Sequence, residues 1–198
     1  MRSLPAAIAV AAVLALGLSG CVPQADDVPA GPSATRTPTA APSDAPEPAV
    51  PDALATGFDS TPVTIDCNEL VSPQAVYDYN PNYGNQPDFT PLAGTDVATI
   101  AANQGVACNW VNQTSGETFV VAVAQLAADD LEQVKQGIAA KSSLVTGLGD
   151  AAYFTASGGI GVAEVFSGPY WVVATSTGFY EAAAAKPLVE AALAALGR

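Results

Sequence analysis

The pattern of apolar and polar positions divides the chain into three parts. An almost entirely apolar run occupies residues 6–18, a proline-rich stretch follows it, and periodic apolar positions begin near residue 56. The run is shorter than the roughly 20 residues that a spanning helix needs, and it has the length of a signal-peptide core. We therefore predict a signal peptide over 1–20, a tether over 21–55 and one globular domain over 56–198.

The periodicity within the last part predicts an alternation of helices and hairpins. Apolar positions at helical spacing predict helices over 66–79, 96–103 and 129–141, and a closing helix with Pro187 in its first turn. Pro73 within the first of these is an alternative start for that helix. β-Rich runs predict strands over 106–111, 118–126, 151–155, 161–166 and 170–176. Because hairpins outnumber crossovers, we expect an α+β fold with an antiparallel sheet of about five strands and helices packed mainly on one face.

The proline-rich stretch has a composition that opposes folding. Residues 22–55 contain no aromatic side chain, and prolines interrupt Ala, Ser, Thr and acidic residues throughout. Such a segment buries too little apolar surface to repay the entropy of ordering it. It would span roughly 30 Å as a coil and about 100 Å when fully extended as a polyproline helix.

Charge and composition exclude several classes of function. The chain has 19 acidic and 6 basic residues, for a net charge of −13, and no histidine. An acidic surface repels phosphate backbones, so we expect no nucleic-acid partner. The lack of histidine excludes Ser-His-Asp and Cys-His catalysis and disfavours a typical zinc site. We expect no cofactor.

The residues Leu18-Ser19-Gly20-Cys21 close the apolar run and resemble the bacterial lipobox. The resemblance implies cleavage before Cys21 and a lipid on its sulfur, with palmitate among the expected acyl groups. Stable anchoring takes about two acyl chains, which a diacylglycerol supplies. We therefore expect an extracytoplasmic, lipid-anchored protein at the outer face of the plasma membrane, with ordinary secretion as the alternative.

Two cysteines remain once Cys21 is assigned to the lipid. In an exported chain such a pair usually forms a disulfide, so we predict a bond between Cys67 and Cys108. Closing that loop is worth about 4 kcal/mol in the chain-entropy model. The alternative is two unpaired buried thiols, which would follow if the chain were not exported.

Three features of the domain carry a family resemblance. Cys67 at a helix start, the Cys108-Asn109-Trp110 strand and the run Gly147-Leu148-Gly149-Asp150-Ala151-Ala152 resemble features of small actinobacterial lipoproteins of unassigned activity. They are also similar to extracellular sensor domains of actinobacterial serine/threonine kinases. The resemblance implies an α+β domain with this disulfide and a binding or sensing role. Those sensor domains carry a second disulfide, for which this chain has no cysteines.

Aromatic and amide side chains alternate around residues 80–94, which we predict to form a long loop. Aromatic rings stack on ligands while amides donate and accept hydrogen bonds, so such a patch suits sugars, peptides or lipid head groups. The predicted ligand-binding residues are Tyr77, Tyr79, Asn80, Asn82, Tyr83 and Phe89. The alternative is that one or two rings pack on the core and the amides form turns.

The same region approaches the spacing of a calcium loop without matching it. Asp78, Asn80 and Asn82 have the right spacing, but Gly84 comes one place late, and Phe89 stands where a bidentate glutamate is needed. We therefore predict no metal site.

Together these features predict a non-enzymatic binding or scaffolding lipoprotein of the bacterial cell envelope. Its partner would be an envelope polysaccharide, lipid, peptide or protein. One alternative is an envelope enzyme that uses Asp or Glu as acid and base on polysaccharide or peptide, marked by a carboxyl with a raised pKa deep in an apolar cleft. The other is a solute-binding accessory lipoprotein, a class that generally needs two lobes.

Overall fold

The computed structural model describes residues 57–198, which form one antiparallel sheet of eight strands with five helices. The strands are β1 (Ser60–Thr61), β2 (Tyr83–Gln86), β3 (Val106–Asn112), β4 (Thr118–Leu126), β5 (Ser143–Val145), β6 (Ala151–Ser157), β7 (Ile160–Ser167) and β8 (Tyr170–Ser176). Their order in the sheet is β2-β3-β4-β8-β7-β6-β5, and β1 pairs with the C-terminal end of β4.

The helices lie between and after the strands. They are α1 (Cys67–Leu70), α2 (Pro73–Tyr79), α3 (Asp96–Ala102), α4 (Ala128–Ala139) and α5 (Ala182–Ala195). Within residues 57–198, every helix falls short of the length or apolar character that crossing a bilayer demands.

The strand β4 carries the core on both sides of the sheet. Phe119 and Val121 belong to the cluster beneath α1, α2 and α5, whereas Val120 and Ala122 belong to the cluster beneath α3 and α4. Successive residues of a strand point to opposite faces, so a strand that is apolar at every position must be covered on both. The helices do cover both faces, which corrects the prediction that they pack mainly on one.

Three short strands raise the number from the predicted five to eight. β1, β2 and β5 have only two to four residues each. β2 lies inside the predicted loop 80–94, where Tyr83 pairs with Asn112 and Gln86 with Asn109. Its sequence has no apolar alternation, so its pairing with β3, rather than a pattern of its own, makes it a strand.

One proline marks the start of a helix, and another lies inside a helix. The helix predicted over 66–79 is two helices: Val71 caps the end of the first, and Ser72 caps the start of the second, its hydroxyl accepting the Ala75 N–H. Pro73 is then the first residue of α2, where its missing N–H costs nothing. Pro187 lies inside α5 rather than in its first turn, since the preceding alanines, the strongest helix formers, begin the helix at Ala182.

A disulfide joins Cys67 to Cys108, as predicted. It ties the first residue of α1 to β3, with the two Cα atoms 5.5 Å apart. The bond therefore fixes α1, and α2 directly after it, to the face of the sheet that also carries α5.

The run Gly147-Leu148-Gly149-Asp150 is the turn that leads into β6. Gly149 has φ +59°, and a Cβ there would lie 2.6 Å from the carbonyl oxygen of Phe166, so only glycine fits. The Asp150 N–H donates to that same oxygen at 2.8 Å, and the Asp150 carboxylate accepts the Gly168 N–H at 2.7 Å. This run holds the β6 start against the end of β7.

Candidate binding groove

A groove of about 710 Å³ lies on the α3 side of the sheet. Its floor is built from four neighbouring strands. Val120 of β4 lies opposite Thr175, Thr175 lies opposite Val162, and Val162 lies opposite Thr155 of β6. Directly opposite residues share a face of an antiparallel sheet, so these four side chains form one row across the floor.

The wall of the groove is the segment 89–95 with the start of α3. Thr95 is the N-cap of α3, and its hydroxyl accepts the Ala98 N–H at 3.2 Å and donates to the Leu92 carbonyl at 2.7 Å. Val97 and Ile100 of α3 pack in the apolar core on this face of the sheet. One threonine side chain therefore fixes both the helix start and the turn before it.

The groove is lined by nine apolar residues, eight hydroxyl residues and one charged residue. The apolar residues are Phe89, Pro91, Leu92, Ala93, Val97, Val120, Ile160, Val162 and Val173. The hydroxyl residues are Thr90, Thr95, Thr118, Thr155, Ser157, Thr175, Ser176 and Thr177. The charged residue is Asp96. An apolar lining with a few placed polar groups is the usual make-up of a small-molecule site.

Two large apolar side chains stand at the rim. Leu92 on the wall is 77% exposed, and Ile160 on the floor is 46% exposed. Both also line the groove. A bound apolar molecule would cover these side chains, and burying them contributes about 25 cal/mol for each Å² removed from water.

A buried carboxyl group lies beside the floor. Glu164 is 2% exposed and sits on β7 two residues after Val162, directly opposite Val173 of β8. Burial, followed by the negative charge of Asp96, raises the pKa of Glu164 to about 8. The positive charge of Lys141 and the hydrogen bond from Trp171 act in the opposite direction and lower the pKa. The Trp171 indole N–H donates to its carboxyl oxygen at 3.3 Å. A pKa of about 8 makes the protonated, neutral form of Glu164 the main one at pH 7.

Two of the predicted ligand-binding tyrosines pack on the opposite face of the sheet. The ring centroids of Tyr79 and Tyr83 lie 5.6 and 4.9 Å from that of Phe119. Burial raises the pKa of Tyr83 to about 12, and the nearby Glu117 carboxylate adds to the shift. These partly buried rings pack against the core and help to hold α2 and β2 in place.

The other predicted residues are spread over the surface. Tyr77 is 63% exposed on α2. Asn80 caps the end of α2 and its side-chain oxygen accepts the Asn82 N–H at 3.0 Å. Phe89 alone among the six predicted residues lines the groove. The structure thus divides the predicted patch between two faces of the sheet.

The remaining predicted sites differ in what the structure says of them. Cys21, the predicted lipidation site, lies outside the described residues. Asp78 lies in α2, and its carboxylate accepts a hydrogen bond from the Gln74 amide. Across residues 57–198, no group of three or more His, Cys, Asp or Glu side chains is placed to hold a metal ion.

The sequence did not predict most of the residues that line the groove. Its floor draws on β4, β6, β7 and β8, which are far apart in the chain and meet only through the strand order. Two signals were nevertheless present. Val173 and Thr175 place an apolar and a hydroxyl group on one face of β8, and Glu164 is a lone carboxylate within an apolar strand.

Fold and groove together define a class: an antiparallel α+β domain with a largely apolar groove on one sheet face. Comparison with protein-family models, curated proteins and solved structures finds no match for this chain. Its function must therefore be inferred from the groove and from the N-terminal sequence.

Proposed function

We propose that this protein is a lipid-anchored binding lipoprotein of the bacterial cell envelope that holds an apolar small molecule in the groove. The observation that carries the proposal is the groove itself, with nine apolar and eight hydroxyl residues around about 710 Å³. That volume suits a small molecule or a lipid chain, because ligand pockets commonly measure about 300–1,000 Å³.

The N-terminal sequence supports the location. A lipobox at Cys21 after an apolar run favours anchoring at the outer face of the plasma membrane. The Cys67–Cys108 disulfide agrees with an oxidising compartment outside the cytoplasm. A protein placed there would meet envelope lipids and other apolar molecules, which is the chemistry that the groove accepts.

A second candidate function is acid–base catalysis, which the raised pKa of Glu164 favours. A protonated carboxyl near a second carboxylate, here Asp96, is the arrangement of several hydrolases. Glu164, however, is buried behind the groove lining, and a general acid must come within hydrogen-bond reach of its substrate. We therefore place binding first.

The test of binding is a fluorescence titration of the full chain carrying Cys21→Ser with N-phenylnaphthylamine, an uncharged apolar fluorophore. That substitution keeps any acyl chain of the protein itself out of the reaction. Thr155→Trp places an indole on the groove floor and should weaken binding by about tenfold or more, which corresponds to about 1.4 kcal/mol. A melting curve checks that the variant folds.

Ala156→Trp is the matched control. Ala156 is the next residue of the same strand, is exposed, and points to the opposite face. This variant should bind the fluorophore as the parent does. Equal affinities for the parent and Thr155→Trp, or no binding by the parent, would contradict the proposal.

A further inference from the structure

We propose that the groove selects its ligand by charge and takes an apolar molecule that carries a cationic, amine-type head. The inference rests on the proposed function, since it names the chemistry of the ligand for the same groove. It is carried by the position of Asp96 in the lining and by the lack of any positive side chain among the residues that line the groove.

Asp96 is placed where a head group would lie. It is the first residue of α3, beside Thr95 on the wall, and is partly exposed. The wall and floor residues around it are apolar or carry hydroxyl groups. A cationic head beside Asp96 would be attracted to its charge in surroundings less polar than bulk water, where such attraction is stronger.

The lysines of this part of the chain do not compensate Asp96 inside the groove. Lys135 pairs with Glu132 on α4, and Lys186 pairs with Glu190 on α5. Lys141 follows α4 and acts on Glu164 from outside the groove lining. The negative charge of Asp96 is also felt at Glu164, where it opposes ionisation of that second carboxyl.

An anionic head would meet the opposite conditions. Near Asp96 it would face a like charge and lose water without a positive partner in the lining. The whole chain adds to this discrimination because its net charge is −13. Charge complementarity therefore orders the candidate ligands as cationic, then uncharged, then anionic.

The experiment compares three amphiphiles with the same dodecyl chain and different heads: trimethylammonium, glucoside and sulfate. Binding to the full chain carrying Cys21→Ser is measured by calorimetry below the micelle concentration of each. We expect the ammonium compound to bind about tenfold or more tighter than the sulfate, with the glucoside between them.

Two further variants assign the preference to one carboxylate. Asp96→Asn should weaken binding of the ammonium compound about tenfold more than binding of the glucoside, because only the ammonium head loses an opposite charge. Asp88→Asn removes a neighbouring exposed charge outside the lining and should change neither. The effect of Asp96→Asn should shrink as salt is added, because salt screens a partly exposed pair.

The outcomes separate this inference from the proposed function. Equal binding of all three heads, tighter binding of the sulfate, or an unchanged ammonium affinity in Asp96→Asn would overturn the charge preference and leave apolar binding standing. Failure of all three compounds to bind would contradict both.

Discussion

At the scale of single residues, Glu164 makes the stability of the protein depend on pH in an unusual direction. The pKa of this carboxyl is raised from 4.5 to about 8 in the folded protein. Well below pH 4.5 it is protonated in both states. Between these values the folded protein keeps a proton that the unfolded chain has released, so the free energy of unfolding falls as the pH rises. Well above pH 8 the loss is complete, on the order of 5 kcal/mol.

Glu164→Gln should remove this dependence. The amide keeps an oxygen for the Trp171 N–H but does not ionise. We expect the variant to gain stability over the parent as the pH rises from about 5 to about 9, by up to several kcal/mol. Urea unfolding at a series of pH values measures the difference. Parallel pH profiles for parent and variant would rule out a buried carboxyl with a raised pKa.

At the scale of elements, the wall of the groove depends on the cap of α3. Thr95→Ala removes the side chain that joins the Ala98 N–H to the Leu92 carbonyl. We expect a loss of about 1 kcal/mol in unfolding free energy and weaker binding of an apolar probe, because the turn that holds Leu92 loosens. Thermal melts and probe titration measure the two effects.

Ser72→Ala provides the matched control for that prediction. Ser72 caps α2 through the Ala75 N–H at 3.2 Å, on the opposite face of the sheet. Its loss should cost a similar amount of stability without changing probe affinity. If both variants weaken binding equally, the effect belongs to general loosening and not to the groove wall.

The disulfide ties α1 to β3 and should stabilise the fold. Replacing Cys67 and Cys108 by serine should lower the free energy of unfolding by about 4 kcal/mol, because the unfolded chain gains the freedom of a loop with a sequence separation of 41. Urea unfolding of oxidised parent and double variant gives the value. Equal free energies of unfolding for the oxidised parent and the double variant would show that the bond does not stabilise the fold.

The elements also show how far a pattern of residues predicts a fold. The long strands β3, β4, β6, β7 and β8 lie where apolar runs predicted them, because each run supplies its own core contacts. β2 was missed because pairing with β3, and the packing of Tyr83 on Phe119, create it. The local pattern therefore predicts an element that has an apolar face of its own. It fails for a strand that forms only by pairing with the edge of a neighbouring strand.

At the scale of the whole molecule, the groove was harder to predict than the fold. Aromatic residues near positions 77–89 favoured a binding patch because rings often stack on ligands, yet Tyr79 and Tyr83 are partly buried and pack against the core. The groove instead uses threonines and valines brought together by strand order, and such residues look ordinary in sequence. Asp96 stands out only once the chain around it is folded.

The proposed anchor is a separate property of the whole chain. Cys21→Ser should abolish incorporation of labelled palmitate and move the protein from the membrane to the soluble fraction, because anchoring requires acyl chains that this variant cannot receive. Cys67→Ser is the control, since it should retain the label. Unchanged labelling of Cys21→Ser would place any lipid elsewhere.

The most direct test of the account is mass spectrometry of organic extracts from the protein purified out of its own cells. The parent and the Ala156→Trp control should both carry an apolar amine-bearing molecule in near-stoichiometric amount. The Thr155→Trp variant, with an indole on the groove floor, should carry little of it. Extracts with the same content from Thr155→Trp and from the parent would contradict the account.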